Sequence, residues 1–117
     1  MRKIYRYPDR IFLAEDDTDV LYTVKFYSNG NSGLTLVNVP GPIDPVIEDE
    51  GTEFIGKGRD LRSEKTISVS DIANLLPTEN VIKICYLLNN QLLVEHINPK
   101  SEEERPIIII KIIFPKP

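Results

Sequence analysis

Val81-Ile82-Lys83-Ile84-Cys85-Tyr86-Leu87-Leu88-Asn89-Asn90-Gln91-Leu92-Leu93-Val94-Glu95-His96-Ile97 is the stretch that decides the fold. Two apolar runs flank a pair of asparagines. Asparagine enters the left-handed backbone region more readily than most residues, so Asn89-Asn90 is predicted to close a tight type I′ hairpin. Counting from that turn pairs Leu88 with Gln91, Leu87 with Leu92, Tyr86 with Leu93 and Cys85 with Val94. Further along, Ile84 meets Glu95, Lys83 meets His96 and Ile82 meets Ile97. Ile82, Ile84, Tyr86 and Leu93 then share one face, and Cys85, Leu87, Leu92 and Val94 share the other. Near the turn both faces are apolar.

The same doubling recurs at Ile107-Ile108-Ile109-Ile110-Lys111-Ile112-Ile113-Phe114. Ile108, Ile110, Ile112 and Phe114 point one way; Ile107, Ile109 and Ile113 point the other, with Lys111 among them. So apolar a strand is an aggregation hazard, and charge and proline guard it on both sides, in Glu102-Glu103-Glu104-Arg105-Pro106 and Pro115-Lys116-Pro117. Upstream, Val20, Tyr22, Val24 and Phe26 alternate with Leu21, Thr23, Lys25 and Tyr27, the period of a half-buried strand. Ser28-Asn29-Gly30-Asn31-Ser32-Gly33 follows as a turn-rich loop and Leu34–Val39 as a second strand, so 20–39 reads as a hairpin. A short strand is predicted at Ile11–Ala14, and Ile67 and Val69 mark one face of another.

Between these, Pro40, Pro42 and Pro45 remove backbone donors and Glu48-Asp49-Glu50 adds like charge, so 40–58 reads as a long loop with at most a brief strand at Thr52–Ile55. Ser70-Asp71-Ile72-Ala73-Asn74-Leu75-Leu76 has an N-cap residue at one end and Pro77 at the other, which predicts one short helix. Residues 1–10 and 115–117 are expected to be extended arms. One domain fits a chain of 117 residues, long enough to bury a core without disulfide or metal staples. Many short strands at this length predict an antiparallel β-sandwich.

Leu75-Leu76-Pro77-Thr78-Glu79-Asn80-Val81-Ile82-Lys83-Ile84 resembles the corner entering the penultimate strand of fibronectin type III and related immunoglobulin-like sandwiches. The resemblance covers about ten residues. Asn80 stands where that family places a tyrosine, and the chain has no tryptophan for the sheet opposite. It implies an immunoglobulin-like sandwich, a fold used mainly for interaction, and no activity.

Chemistry is hard to assemble from the remaining residues. Gly51-Thr52-Glu53-Phe54-Ile55-Gly56-Lys57 has the spacing of a phosphate-binding loop, but Gly58 replaces the required Ser or Thr and no helix pattern follows. Glu15-Asp16-Asp17-Thr18-Asp19 clusters calcium-type ligands, yet the EF-hand order fails at Val20 and Leu21, and a solvated acidic turn accounts for the cluster. His96 is the single histidine and Cys85 the single cysteine, which excludes a multi-histidine metal site and an internal disulfide. Hairpin counting puts the two on one face, diagonally offset and with no third orienting group, so a core thiol and a surface histidine are expected. No catalytic residue, cofactor site or metal site is assigned.

A net charge of −4 disfavours nucleic acid and membrane surfaces as partners. The start of the chain carries charge without an apolar stretch behind it, and the isoleucine run is too short for a membrane helix, so a cytoplasmic setting or an assembled virion is expected. The leading expectation is a non-enzymatic structural, assembly or protein-binding module, such as a virus or phage particle uses. A homo-oligomer or another protein is the partner, and Ile107, Ile109, Lys111, Ile113, Leu87, Leu92 and Val94 form the interface. The alternative is a small acidic regulator or inhibitor that binds a host or enzyme partner. The reason is surface: so short a chain has more apolar strand face than it can cover.

Overall fold

The computed structural model describes residues 2–116, which leaves Met1 and Pro117 of the two expected arms outside. Ten strands follow in chain order: β1 (Ile4–Arg6), β2 (Arg10–Ile11), β3 (Asp19–Phe26), β4 (Asn31–Asn38), β5 (Val46–Glu48), β6 (Gly51–Lys57), β7 (Thr66–Asn74), β8 (Val81–Leu88), β9 (Gln91–Pro99) and β10 (Ile107–Ile113). They make two packed sheets. One runs β1-β10-β7-β4-β5, with β2 continuing β1 along the same edge of β10, and the other runs β6-β3-β8-β9. The predicted β-sandwich is the architecture observed.

The hairpin at Asn89-Asn90 forms, with both asparagines at positive φ (46° and 66°). Leu88 pairs with Gln91 and Leu87 with Leu92 as expected, but a bulge then shifts the register. Tyr86 meets Val94, Cys85 meets Glu95, Ile84 meets His96 and Ile82 meets Asn98. Past the bulge, every residue of β9 is one place from its predicted partner and on the opposite face, since side chains alternate with period two.

Residues 20–39 are not a hairpin, because β3 and β4 lie in different sheets. The loop between them is pinned to the end of β7 instead: Asn74 Nδ2 donates to the Asn29 carbonyl at 2.8 Å and the Leu75 amide to Gly30 at 3.2 Å. Gly30 has φ +77°, and a Cβ there would stand 2.4 Å from that of Leu76, so only glycine lets the chain arch over at this point.

The predicted helix at 70–76 is also replaced. Residues 66–74 are strand β7, held by antiparallel ladders to β10 on one side and β4 on the other. Two complete ladders outweigh a capping signal worth about 1 kcal/mol. The 40–58 stretch is shorter as a loop than expected, since β5 and β6 occupy most of its second half and a 3-10 turn follows at Gly58–Leu61. The N-terminal arm is an edge strand. β1 and β2 pair in parallel with β10, broken by one extra residue around Pro8-Asp9. Of the segment expected at 11–14, only Ile11 is in a strand.

The core lies between the sheets. Val20, Tyr22 and Val24 of β3, Ile82, Ile84, Tyr86 and Leu88 of β8, and Ile108, Ile110 and Ile112 of β10 are fully buried there. The inward residues of β7 include Thr66, Ser68 and Ser70, all buried. Tyr22 Oη donates to Ser68 Oγ at 2.8 Å and Tyr86 Oη to Ser70 Oγ at 2.9 Å, while Thr35 of β4 shares a hydrogen bond with Ser70 at 2.7 Å. The small hydroxyl side chains make room for two stacked tyrosine rings and satisfy their polar ends, as burial requires.

Candidate docking face and the buried polar seam

With Thr66, Ser68 and Ser70 turned inward, the first half of β7 turns Ile67 and Val69 outward, while Ile72 further along stays in the core. Ile67, Val69 and Ala73 are half-buried on the outer surface of the first sheet. Strand register sets their neighbours. One row across the sheet is Arg6, Ile109, Val69, Leu36 and Val46; the row beside it is Ile4, Ile107, Asp71, Leu34 and Glu48. Lys111, Ile67 and Asn38 make a third row, and Ile11 sits beside Ile113 beyond it. Leu34 is 48 % exposed, Leu36 43 %, Val46 45 % and Ile4 44 %, so the patch is most open to solvent along β4 and at its two edges. Strand spacing and rise make the face roughly 20 Å on a side. That is about 400 Å² with Arg6, Asp71, Glu48 and Lys111 included, within the range of the largest apolar patch a monomer leaves uncovered.

The expected interface residues divide into three groups. Ile107, Ile109, Lys111 and Ile113 lie on this face and are half-buried. Leu87 and Leu92 lie on the outer face of the opposite sheet, beside Thr23. Val94 is only 3 % exposed and belongs to the core, because the β9 bulge rotates it inward. The two groups outside the core are therefore on opposite sides of the sandwich. Ile67, Val69, Leu34, Leu36 and Val46 complete the first face, and the signal for the two on β7 was Thr66, Ser68 and Ser70 alternating with them.

The same bulge buries His96 completely, against the expectation of a surface histidine. Its Nδ1 accepts from Tyr7 Oη at 2.7 Å and its Nε2 donates to Asn98 Oδ1 at 2.8 Å. Asn98 Nδ2 faces the carbonyls of Pro99 and Glu103, which leaves Oδ1 for the imidazole and fixes its neutral Nε2–H tautomer. Tyr5 packs edge-on against the ring at 4.8 Å between centroids. This seam ties β1 to β9 across the open side of the sandwich.

Burial holds the His96 pKa below the usual imidazole value; the hydrogen bond to Asn98 and nearby Glu102 oppose it without reversing it. The unfolded chain takes up a proton near pH 6.5, whereas the folded chain does so only at lower pH. Stability from this group is then complete above about pH 6.5 and is lost as pH falls toward the folded value. Chemical denaturation is expected to show unfolding free energy declining below pH 6.5 by up to about 1.4 kcal/mol per unit. His96→Gln, which keeps one acceptor and one donor, should be flat across that window. The lowered carboxylates Asp16, Asp71 and Glu102 act in a separate, more acid range.

Cys85 and His96 are on opposite faces of their sheet, because Cys85 pairs with Glu95 and Ile84 with His96. They form no dyad. Burial, then Glu95, pushes the Cys85 thiol up and away from the thiolate. The acidic turn is covered by its own cations: Asp16 pairs with Arg62, Asp17 with Arg59 at 2.5 Å and Asp19 with Lys57 at 2.9 Å. Gly51–Lys57 is the extended strand β6, not a loop that could wrap a phosphate. Among the described residues, no group of three or more His, Cys, Asp or Glu is placed to hold a metal ion. None of the described helices is long and apolar enough to cross a membrane.

Fold and surface together define a two-sheet β-sandwich with apolar side chains uncovered on the outer face of the first sheet, and with Leu21, Phe54, Leu92 and Ile97 exposed on that of the second. The chain matches no protein-family model, no curated protein and no solved structure at a significant level.

Proposed function

We propose that this protein is a non-enzymatic binding or assembly module that docks a protein partner on the outer face of β1-β10-β7-β4-β5. The observation that carries the reading is the inversion of β7 over residues 66–70, with Ser68 and Ser70 buried and Ile67 and Val69 outside, before Ile72 returns an apolar side chain to the core. In a free-standing sandwich the apolar set of a strand faces the core. Here the tyrosine–serine bonds permit the reverse, and Ile107, Ile109, Leu34, Leu36 and Val46 extend the apolar surface across neighbouring strands. A subunit of a larger assembly, such as a virus or phage particle, is one setting for such a face.

The acidic-regulator reading has less support, since Asp16, Asp17 and Asp19 are engaged by Arg62, Arg59 and Lys57. An immunoglobulin-like type of sandwich is part of the proposal. Its support is that Leu75–Ile84 leads from a strand of one sheet into a strand of the other, as the equivalent corner does in that family.

The isolated wild type is expected to associate with itself, or to need a partner to stay soluble. Ile109→Asp combined with Ile113→Asp should remove that behaviour in sedimentation velocity while circular dichroism stays that of a folded β protein. A soluble monomeric wild type with an identical double variant would overturn the reading.

A further inference from the structure

We infer that the occupant of this face is a second copy of the same chain, packed sheet against sheet about a twofold axis. This rests on the docking reading above and adds the partner. The argument is charge. The face is apolar in its middle apart from Asp71, which Arg2 pairs, and it is oppositely charged toward its two sides. Arg6 and Lys111 stand on β1 and β10, and Glu48 stands on β5 at the far edge. Arg6, Lys111 and Glu48 join none of the ion pairs among the described residues.

A twofold contact is isologous, so a surface must complement itself. Consider an axis in the interface running along β7, the middle strand of the five. It lays the β1 edge of one copy over the β5 edge of the other. Register then sets Val69 against the second Val69, Ile109 against Leu36 and Ile107 against Leu34. Arg6 falls over Val46 with Glu48 one row away, within reach of its long side chain, and the contact occurs twice. Asp71 comes near the axis, but Arg2 of the same chain lies 2.5 Å from its carboxylate, so two bare anions do not meet. Aligned packing of two sheets at about −30° accommodates this arrangement. Turned by half a revolution in the plane of the sheet, the same pair would lay β1 edge on β1 edge and β5 edge on β5 edge, which brings like charge near like.

The test uses the full chain in sedimentation velocity, with Arg6→Glu and Glu48→Arg. Both side chains are exposed, so both variants should fold, which circular dichroism checks. Each alone replaces two attractive contacts by two repulsive ones and is expected to weaken the dimer about tenfold or more. An equimolar mixture of the two restores opposite charge at both contacts and should return heterodimers near wild-type affinity; so should the double variant in one chain. A mixture no tighter than either variant alone overturns the second copy. If the charge mixture rescues nothing while Ile109→Asp with Ile113→Asp abolishes association, the twofold arrangement is refuted and the docking face stands. If neither set of changes matters, both fall.

Discussion

Ile110→Asp is expected to abolish the fold, whereas Ile109→Asp, one residue earlier, is expected to leave it intact. The two isoleucines share a strand, a side chain and a run of identical neighbours in sequence. Ile110 is fully buried between the sheets and stands opposite Ser68, with apolar Ile108 and Ile112 on either side. An aspartate there would be an unpaired charge out of water, or a protonated acid with few partners. Either costs about 4 kcal/mol or more, added to the lost isoleucine. A domain of this size holds only about 5–15 kcal/mol in reserve.

Ile109 looks outward, with Arg6 directly across from it on β1. An aspartate at 109 stays hydrated and gains a cross-strand cation, so the loss is about 1–2 kcal/mol of strand preference and side-chain contact. Far-ultraviolet circular dichroism and thermal melting separate the two outcomes. A folded Ile110→Asp, or an unfolded Ile109→Asp, would mean that the sheet's faces are assigned the wrong way round.

What the sequence made legible depends on how local each determinant is. The Asn89-Asn90 turn was readable because the two residues carry their own backbone preference. The core face of β3 was readable because Val20, Tyr22, Val24 and Phe26 obey a period of two. The bulge in β9 was not, because Leu92, Leu93 and Val94 are all apolar and the pattern is equally good in either register. That single slip moved Val94 into the core and brought His96 under Tyr5 and Tyr7, so the seam joining β1 to β9 could not be foreseen. Sheet membership was hidden for a similar reason: an alternating pair of segments looks the same as a hairpin or as an arch between sheets. The choice was made by Asn74 and Gly30, which are 44 residues apart in sequence. Of the docking face, the β10 residues were legible from their run of isoleucines. Those of β7 were not, because Ile67 and Val69 are read as core unless Ser68 and Ser70 are known to have tyrosines waiting for them.

The inversion of β7 itself makes the second large prediction. Ser70→Ala removes one hydroxyl and leaves two others behind in a dry interior, those of Tyr86 and Thr35. Tyr86 and Thr35 are each almost fully buried, so water cannot replace the lost partner. A stranded buried hydroxyl costs about 1–3 kcal/mol, which puts the single substitution, stranding two, at about 2–6 kcal/mol, far more than the small volume lost would suggest. Removing the stranded groups should then recover most of the loss. In Ser70→Ala with Tyr86→Phe and Thr35→Val, every member of the network is apolar and nearly the same shape, and replacing all partners together can be almost neutral. Equilibrium urea denaturation of the single, double and triple variants forms the cycle that isolates the coupling. If the triple variant is no more stable than Ser70→Ala alone, hydroxyl pairing is not what lets β7 face its serines inward. The outward set of Ile67 and Val69 would then need another cause. If stability returns, the apolar outer face persists without the Ser70 network, with only the Tyr22–Ser68 bond left inside that part of β7. The chain would then have an inner strand face that tolerates either chemistry and an outer one that stays apolar, which is the pattern of a surface kept for contact rather than for folding.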